Sequence, residues 1–185
     1  MNKNHSDEEL MRMLALGKSD VFSEIYDRYA NKIFTFLMRT LAQKTELAED
    51  ILQDVFIKIA RSPEKFNAER VFKPWLYAVA YNECKMHWRS AKNKPHQNIS
   101  EYDHLPANHE MIDDKLHKKE MQLQIRKLVL EMDEPHRTVV SLRYFDELSL
   151  KEIADIMDTS EGTVKSRLFY GLKKLSLLLK NEQAA

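Results

Sequence analysis

Residues 149–168, Ser-Leu-Lys-Glu-Ile-Ala-Asp-Ile-Met-Asp-Thr-Ser-Glu-Gly-Thr-Val-Lys-Ser-Arg-Leu, decide how this chain is read. Ser149 with Glu152 three residues on is a capping box. Its hydroxyl and carboxylate each take a backbone N–H at a helix start, so the spacing predicts a helix from about Leu150. Leu150, Ile153, Ala154 and Met157 give that helix one apolar face. Asp158-Thr159-Ser160 is a short break, and Asp tolerates the left-handed backbone that such a turn can need. Ser160 then caps a second helix with the stripe Val164, Leu168, Leu172 (or Gly171), Leu175 and Leu179. The small Ala154 lets the two helices cross closely. The pattern is a helix-turn-helix, with its second helix positioned to enter a major groove.

Charge placement supports that reading. From Gly162 to Lys180 there are five bases (Lys165, Arg167, Lys173, Lys174, Lys180) and no acid. Opposite the apolar stripe lie Ser166, Phe169, Tyr170 and Lys173, flanked by Lys165. Cations on such a face can hold phosphates while shorter polar groups reach base edges. The bland alternative is a solvated face in a helical bundle. A capping box, a turn and a small residue in register favour the helix-turn-helix.

Upstream, helical spacing runs from about Leu116 through Leu123, Leu128 and Leu130, and Asp133 is placed to cap a helix from Pro135 to Phe145. The β-branched stretch 138–145 could suit a strand, but nothing nearby offers a sheet partner. Between Ala91 and Asp114 the periodicity dissolves. Pro95 and Pro106 interrupt it, and five acids (Glu101, Asp103, Glu110, Asp113, Asp114) stand where no Lys or Arg does. This segment reads as an acidic, flexible linker.

The N-terminal half is helical too. Ser6 and Glu9 form a second capping box, opening a helix through Leu10, Met13 and Leu14. A helix after Ser19 carries Phe22, Ile25, Tyr26, Tyr29, Ile33, Phe36 and Leu37. Another after Thr45 carries Leu47, Ile51, Val55 and Ile59 and ends before Pro63. Residues 64–73 read as a loop. Pro74 opens a fourth helix to about Ser90, with Phe72, Leu76, Val79 and Met86 expected inside. The fold class expected is all-α: two small helical domains, 1–91 and 116–185, joined by the linker 92–115.

Two faces of the N-terminal half carry candidate chemistry. Glu46, Glu49, Asp50, Gln53 and Asp54 make an acidic face on the third helix. Paired carboxylates four residues apart suit a metal or acid–base site, a solvated surface, or docking to a basic partner. On the fourth helix, Lys73, Tyr77, Tyr81, Lys85 and Trp88 alternate cations and aromatics. With Arg70, Arg89, Lys92 and Lys94, residues 70–94 hold six bases against one acid, Glu83. Rings beside cations suit unpaired nucleic acid, where bases stack on aromatics and cations hold the backbone. The same aromatics could equally be core.

Composition narrows the class. The 185 residues carry 29 Lys and Arg against 29 Asp and Glu, so a uniformly basic nucleic-acid binder is excluded while local basic surfaces are not. Three scattered glycines (17, 162, 171) leave no phosphate-cradling Gly-rich loop, which argues against a nucleotide-binding α/β enzyme. One cysteine, Cys84, rules out an intramolecular disulfide framework. The longest apolar run, Trp75–Tyr81, is seven residues, against about 18 for a membrane span, and Arg12 breaks the acidic N-terminal segment, which is unlike a signal peptide. A soluble, cytoplasmic protein without membrane insertion is expected.

The two halves resemble a known family. Residues 48–56 (Ala-Glu-Asp-Ile-Leu-Gln-Asp-Val-Phe), 72–82 (Phe-Lys-Pro-Trp-Leu-Tyr-Ala-Val-Ala-Tyr-Asn), 142–145 (Leu-Arg-Tyr-Phe) and 149–168 are similar, in order, to domains two and four of bacterial sigma factors. The type is extracytoplasmic-function (ECF), the two-domain branch of the sigma-70 family. The resemblance implies a promoter-specificity subunit with no catalytic residues, no metal and no cofactor. Its expected partners are core RNA polymerase, promoter DNA as duplex and as melted strand, and an anti-sigma factor. It assigns Asp50, Gln53, Asp54 and Phe56 to core-polymerase binding, and Lys73, Trp75, Tyr77, Tyr81, Asn82, Lys85 and Arg89 to the minus-ten element. Trp75 either wedges at the melted junction or supports the loop from the core. Thr163, Lys165, Ser166, Arg167, Phe169, Tyr170 and Lys173 are assigned to the minus-35 element. Asp158 stands where Gly is common in the family, and Tyr170 where Arg is frequent; such departures bear on which promoter is read.

Two other classes compete. A stand-alone helix-turn-helix regulator would dimerise on palindromic half-sites, but it accounts for neither the 48–56 motif nor the aromatic-cationic helix. A metal enzyme using Cys84 and His87 with His96, His104 or His109 would draw its ligands from a flexible linker, which fixes them poorly.

Overall fold

The computed structural model describes residues 5–92 and 123–183, and these form eight α-helices and no strand. In chain order they are α1 (Asp7–Ala15), α2 (Phe22–Thr40), α3 (Thr45–Arg61), α4 (Phe72–Lys92), α5 (described over 123–130), α6 (Glu134–Tyr144), α7 (Leu150–Met157) and α8 (Glu161–Gln183). Among the described residues no helix is long and apolar enough to cross a membrane.

Local signals set most helix starts. Both capping boxes are closed, with Ser6 Oγ accepting from the Glu9 N–H and Ser149 Oγ from the Glu152 N–H. Asp158 stands in the left-handed region (φ 52°, ψ 57°) and turns the chain from α7 into α8. The stretch 138–144 is helical, as the missing sheet partner required.

Four details depart from the sequence reading. Thr45 is the first residue of α3, and Lys44 ahead of it gives no side-chain cap. α4 begins at Phe72, two residues before Pro74, whose missing N–H costs nothing in a first turn. Asp133 precedes α6 but makes no cap, because its carboxylate is taken by His136 and Lys174. Met86, expected inside, is 57% exposed, while Tyr77, Ala80, Tyr81 and Cys84 are buried. That last shift has a tertiary cause: α4 is covered by α2 and α3 on one side and by α7 on another.

The halves are not separate in this structure. One continuous core joins Leu10, Phe36, Phe72 and Leu76 of the first half to Val139, Leu142, Ile153 and Val164 of the second. A satellite cluster of Leu128, Val129, Met132, Val140 and Leu175 holds α5, α6 and α8 together. Gly171, not Leu172, lies on the buried stripe of α8. A Cβ there would stand 3.0 Å from Met132 Cε and 3.1 Å from Val140 Cγ2, tighter than ordinary van der Waals contact, so glycine lets the helices cross closely without those side chains shifting. The acidic segment read as a linker lies outside the described residues from 93 to 122.

Candidate functional site

Three surfaces carry the candidate residues. On α3, Glu46, Glu49, Asp50, Gln53 and Asp54 are all exposed, and none of their side chains makes a hydrogen bond or ion pair among the described residues. A helix face bare of internal partners suits contact with another molecule. Beside it runs an apolar groove whose lining includes Phe22, Tyr26, Leu52, Gln53 and Phe56. Phe56 is not part of the acidic face. It is 3% exposed, and its ring meets the edge of Tyr26 at 4.8 Å between centroids.

The aromatic-cationic face of α4 is divided. Tyr77 and Tyr81 are buried against the second half of the chain: Tyr77 Oη donates to Asp146 Oδ1 (2.9 Å) and Tyr81 Oη to Glu134 Oε1 (3.1 Å). Burial, reinforced by those carboxylates, pushes both phenols well above the usual tyrosine range. Lys73 Nζ donates to the Asp146 carbonyl (2.5 Å), and Lys85 Nζ lies 5.4 Å from the Tyr81 ring centre. Asn82 and Arg89 are exposed on the open side of the helix. Trp75 is half-buried, its ring 5.0 Å from Phe66 and 5.8 Å from Phe72, so here it supports the loop from the core. Cys84 and His87 face apart: the thiol is buried, with desolvation pushing it up to about 12, while the imidazole is exposed.

The loop ahead of α4 is held by α1, a link the sequence did not signal. Glu8 Oε1 accepts from the Phe72 N–H (2.9 Å), and Arg12 Nη2 donates to the Ala68 carbonyl (3.1 Å). The loop is thus tied to α1 beside Asn82's helix.

On α8, Lys165, Ser166, Phe169, Tyr170 and Lys173 are exposed together. Phe169 and Tyr170 pack edge to face (5.3 Å, 79°), 62% and 56% exposed, with no apolar cover. Thr163 and Arg167 are half-buried. The Thr163 N–H donates to Ser160 Oγ (3.1 Å), which fixes the start of the helix.

Sequence reasoning missed Arg39 and Arg137. Arg39 Nη2 donates to Asp146 Oδ2 (2.8 Å). Arg137, 8% exposed, donates to the Met132 carbonyl (2.6 Å), the Leu130 carbonyl (3.3 Å) and, across to α2, the Thr40 carbonyl (2.9 Å). The contacts that cross between the halves, Arg39 to Asp146 and Arg137 to Thr40, join residues 107 and 97 apart, so no local pattern marks them.

Comparison with known proteins gives the family. The family model for sigma-70 region 2 matches residues 25–94, and that for sigma-70 region 4 matches residues 122–175. The chain is 32% identical to the ECF RNA polymerase sigma factor SigW of Bacillus subtilis over 181 residues, covering 92% of this chain and 95% of that one. It is 28% identical to the RNA polymerase sigma-H factor of Pseudomonas aeruginosa, covering 91% of each. In fold it is similar to the sigma factor RpoE solved in complex with the anti-sigma factor NepR from Bartonella quintana (TM-score 0.67, 21% identity, 86% of this chain and 96% of that one). With two region matches in the right order and a relative matched over nearly its whole length, the chain belongs to the ECF branch of the sigma-70 family, RNA polymerase sigma factors that act in transcription initiation and are not enzymes.

Proposed function

We propose a division of sigma-factor work among the three surfaces, in the cytoplasm, with residues 1–91 forming domain two, 92–115 the linker and 116–185 domain four. The acidic face of α3, with Asp50, Gln53 and Asp54, docks on core RNA polymerase, and Phe56 forms the apolar floor beside it. The loop at 64–73 and α4 melt and read the minus-ten element. Asn82, with both a donor and an acceptor, identifies an extruded base, and Lys73, Lys85 and Arg89 hold the strand. Trp75 braces the loop, while Tyr77 and Tyr81 offer rings to the strand once uncovered. α8 reads the minus-35 element: Lys165, Arg167 and Lys173 toward phosphates, Ser166, Phe169 and Tyr170 toward base edges, with Thr163 at the helix start. One fold neighbour was solved with an anti-sigma factor, and an anti-sigma factor is proposed here as well.

The observation that carries this division is the exposure, on one chain, of an acidic helix face without partners and a basic, aromatic recognition helix. Opening a duplex costs about 1.4 kcal/mol per stacked step, so a factor without ATP must capture the separated strand. The test is transcription by the reconstituted holoenzyme from matched duplex and pre-melted promoters. Lys85→Ala with Arg89→Ala is expected to fail on the duplex and be largely rescued by the bubble, and Asn82→Ala to change base preference within the minus-ten element. A bubble that rescues nothing removes the two cations from melting, and unchanged preference removes Asn82 from reading.

A further inference from the structure

Three donors of domain two converge on one residue of domain four. Arg39 Nη2, at the end of α2, donates to Asp146 Oδ2 (2.8 Å). Tyr77 Oη, on α4, donates to Asp146 Oδ1 (2.9 Å), and Lys73 Nζ, one turn earlier, donates to the Asp146 carbonyl (2.5 Å). Asp146 is 8% exposed, and both donors to its carboxylate come from the other domain. A guanidinium and a hydroxyl on the two carboxylate oxygens, with an ammonium on the carbonyl of the same residue, make a donor set that a phosphate can also satisfy.

We propose that Arg39, Lys73 and Tyr77 form a seat for a backbone phosphate of the separated promoter strand, and that Asp146 occupies this seat in the free chain. The proposal rests on the reading of α4 as the strand-binding helix and adds Arg39, which no sequence pattern assigned. Closure of the two domains and capture of the strand then compete for the same three donors.

The interface has the character of one that opens. The Arg39 Nε is buried without a hydrogen-bond partner, and so are Thr40 Oγ1, Arg137 Nε and Ser141 Oγ. All four sit where the end of α2 meets α6, a contact that Arg137 bridges to the Thr40 carbonyl. Closure therefore leaves buried polar groups unsatisfied, and opening returns each to water. The Arg39 guanidinium, stacked 4.8 Å from the Phe145 ring centre, keeps donor capacity that the Asp146 carboxylate does not use. A phosphate, with more free oxygens and spread charge, can use it. Opening also uncovers Tyr77 and Tyr81, which an aromatic strand-binding face requires.

The experiment titrates the full-length chain into a fluorescein-labelled, random-sequence 15-nucleotide single strand at several salt concentrations, with small-angle scattering of the free protein alongside. Asp146→Ala is expected to enlarge the free chain and tighten strand binding about tenfold. In that background Arg39→Met is expected to lower the salt slope by about 0.7, the value of one phosphate contact on a single strand. Should Asp146→Ala lose its helical circular dichroism, Asp146→Asn, of the same shape without the charge, carries the same test. Folded Asp146 variants that bind no tighter overturn the plug, and an unchanged slope with Arg39→Met overturns the seat. Lys85→Ala in the same background separates the causes. If it lowers the slope and Arg39→Met does not, the seat alone is wrong; if neither does, the reading of α4 falls and takes the seat with it.

Discussion

Replacing Asp50, Gln53 and Asp54 together with Ala should separate polymerase binding from folding. The three side chains are exposed on α3 and make no hydrogen bond or ion pair among the described residues, so nothing in the fold is lost with them. Asp50 and Asp54 are four residues apart and repel by about 0.2–0.5 kcal/mol, a cost the substitution removes. Ala is also the better helix former, by up to about 0.7 kcal/mol per residue. The triple variant should therefore be more stable than the parent by about 1–2 kcal/mol, raising Tm by about 2–8 °C at this chain length. Binding should move the other way. Three contacts worth about 1 kcal/mol each predict a loss on the order of 100-fold in affinity for core polymerase. Thermal melting of the free protein and competition binding to fluorescently labelled core polymerase read the two effects separately. Undiminished affinity would refute the assignment of this face, and a lower Tm would refute the claim that the face is free of internal partners.

Other outcomes follow from single positions. Gly171→Val should destabilise the C-terminal half by about 1–3 kcal/mol, since its side chain must enter space already filled by Met132 and Val140; unchanged melting would mean the crossing is looser than described. Ser149→Ala removes the hydroxyl that caps α7 and should cost about 1 kcal/mol in urea unfolding, whereas Ser166→Ala, exposed and not capping, should cost far less. Lys165→Ala should weaken duplex binding on every sequence and lower the salt slope by about 0.9, while Phe169→Ala should alter the preferred minus-35 sequence; identical losses across sequences for both would deny that division. Because burial holds the Cys84 thiol protonated up to about 12, a thiol reagent at pH 8 should react only after unfolding, and prompt labelling of the native protein would contradict its burial.

What the sequence made legible was short-range. The Ser6–Glu9 and Ser149–Glu152 boxes, the left-handed Asp158 turn and the cap at Ser160 each act within three residues, and each is present. The exposed face of α8 was legible because its apolar stripe is packed within one half of the chain. The buried face of α4 was not. A stripe drawn for one domain placed Met86 inside and did not decide whether Tyr77 and Tyr81 were core, whereas a second domain covers the tyrosines and leaves Met86 in solvent. Asp133 fits the cap pattern, yet Lys174, 41 residues on, helps to claim its carboxylate. Arg39, Arg137 and Asp146 likewise take their meaning from partners across the interface, which no periodicity reports.

The proposed role of this chain is to give core RNA polymerase its promoter choice through two separate reading surfaces. Core polymerase programmed with the purified chain on fragmented genomic DNA, followed by sequencing of transcript 5′ ends, tests it most directly. Start sites sharing a two-part motif are expected, with Asn82→Ala altering only the downstream part and Phe169→Ala only the upstream part. Start sites with no shared motif, or a motif that both substitutions change alike, would contradict it.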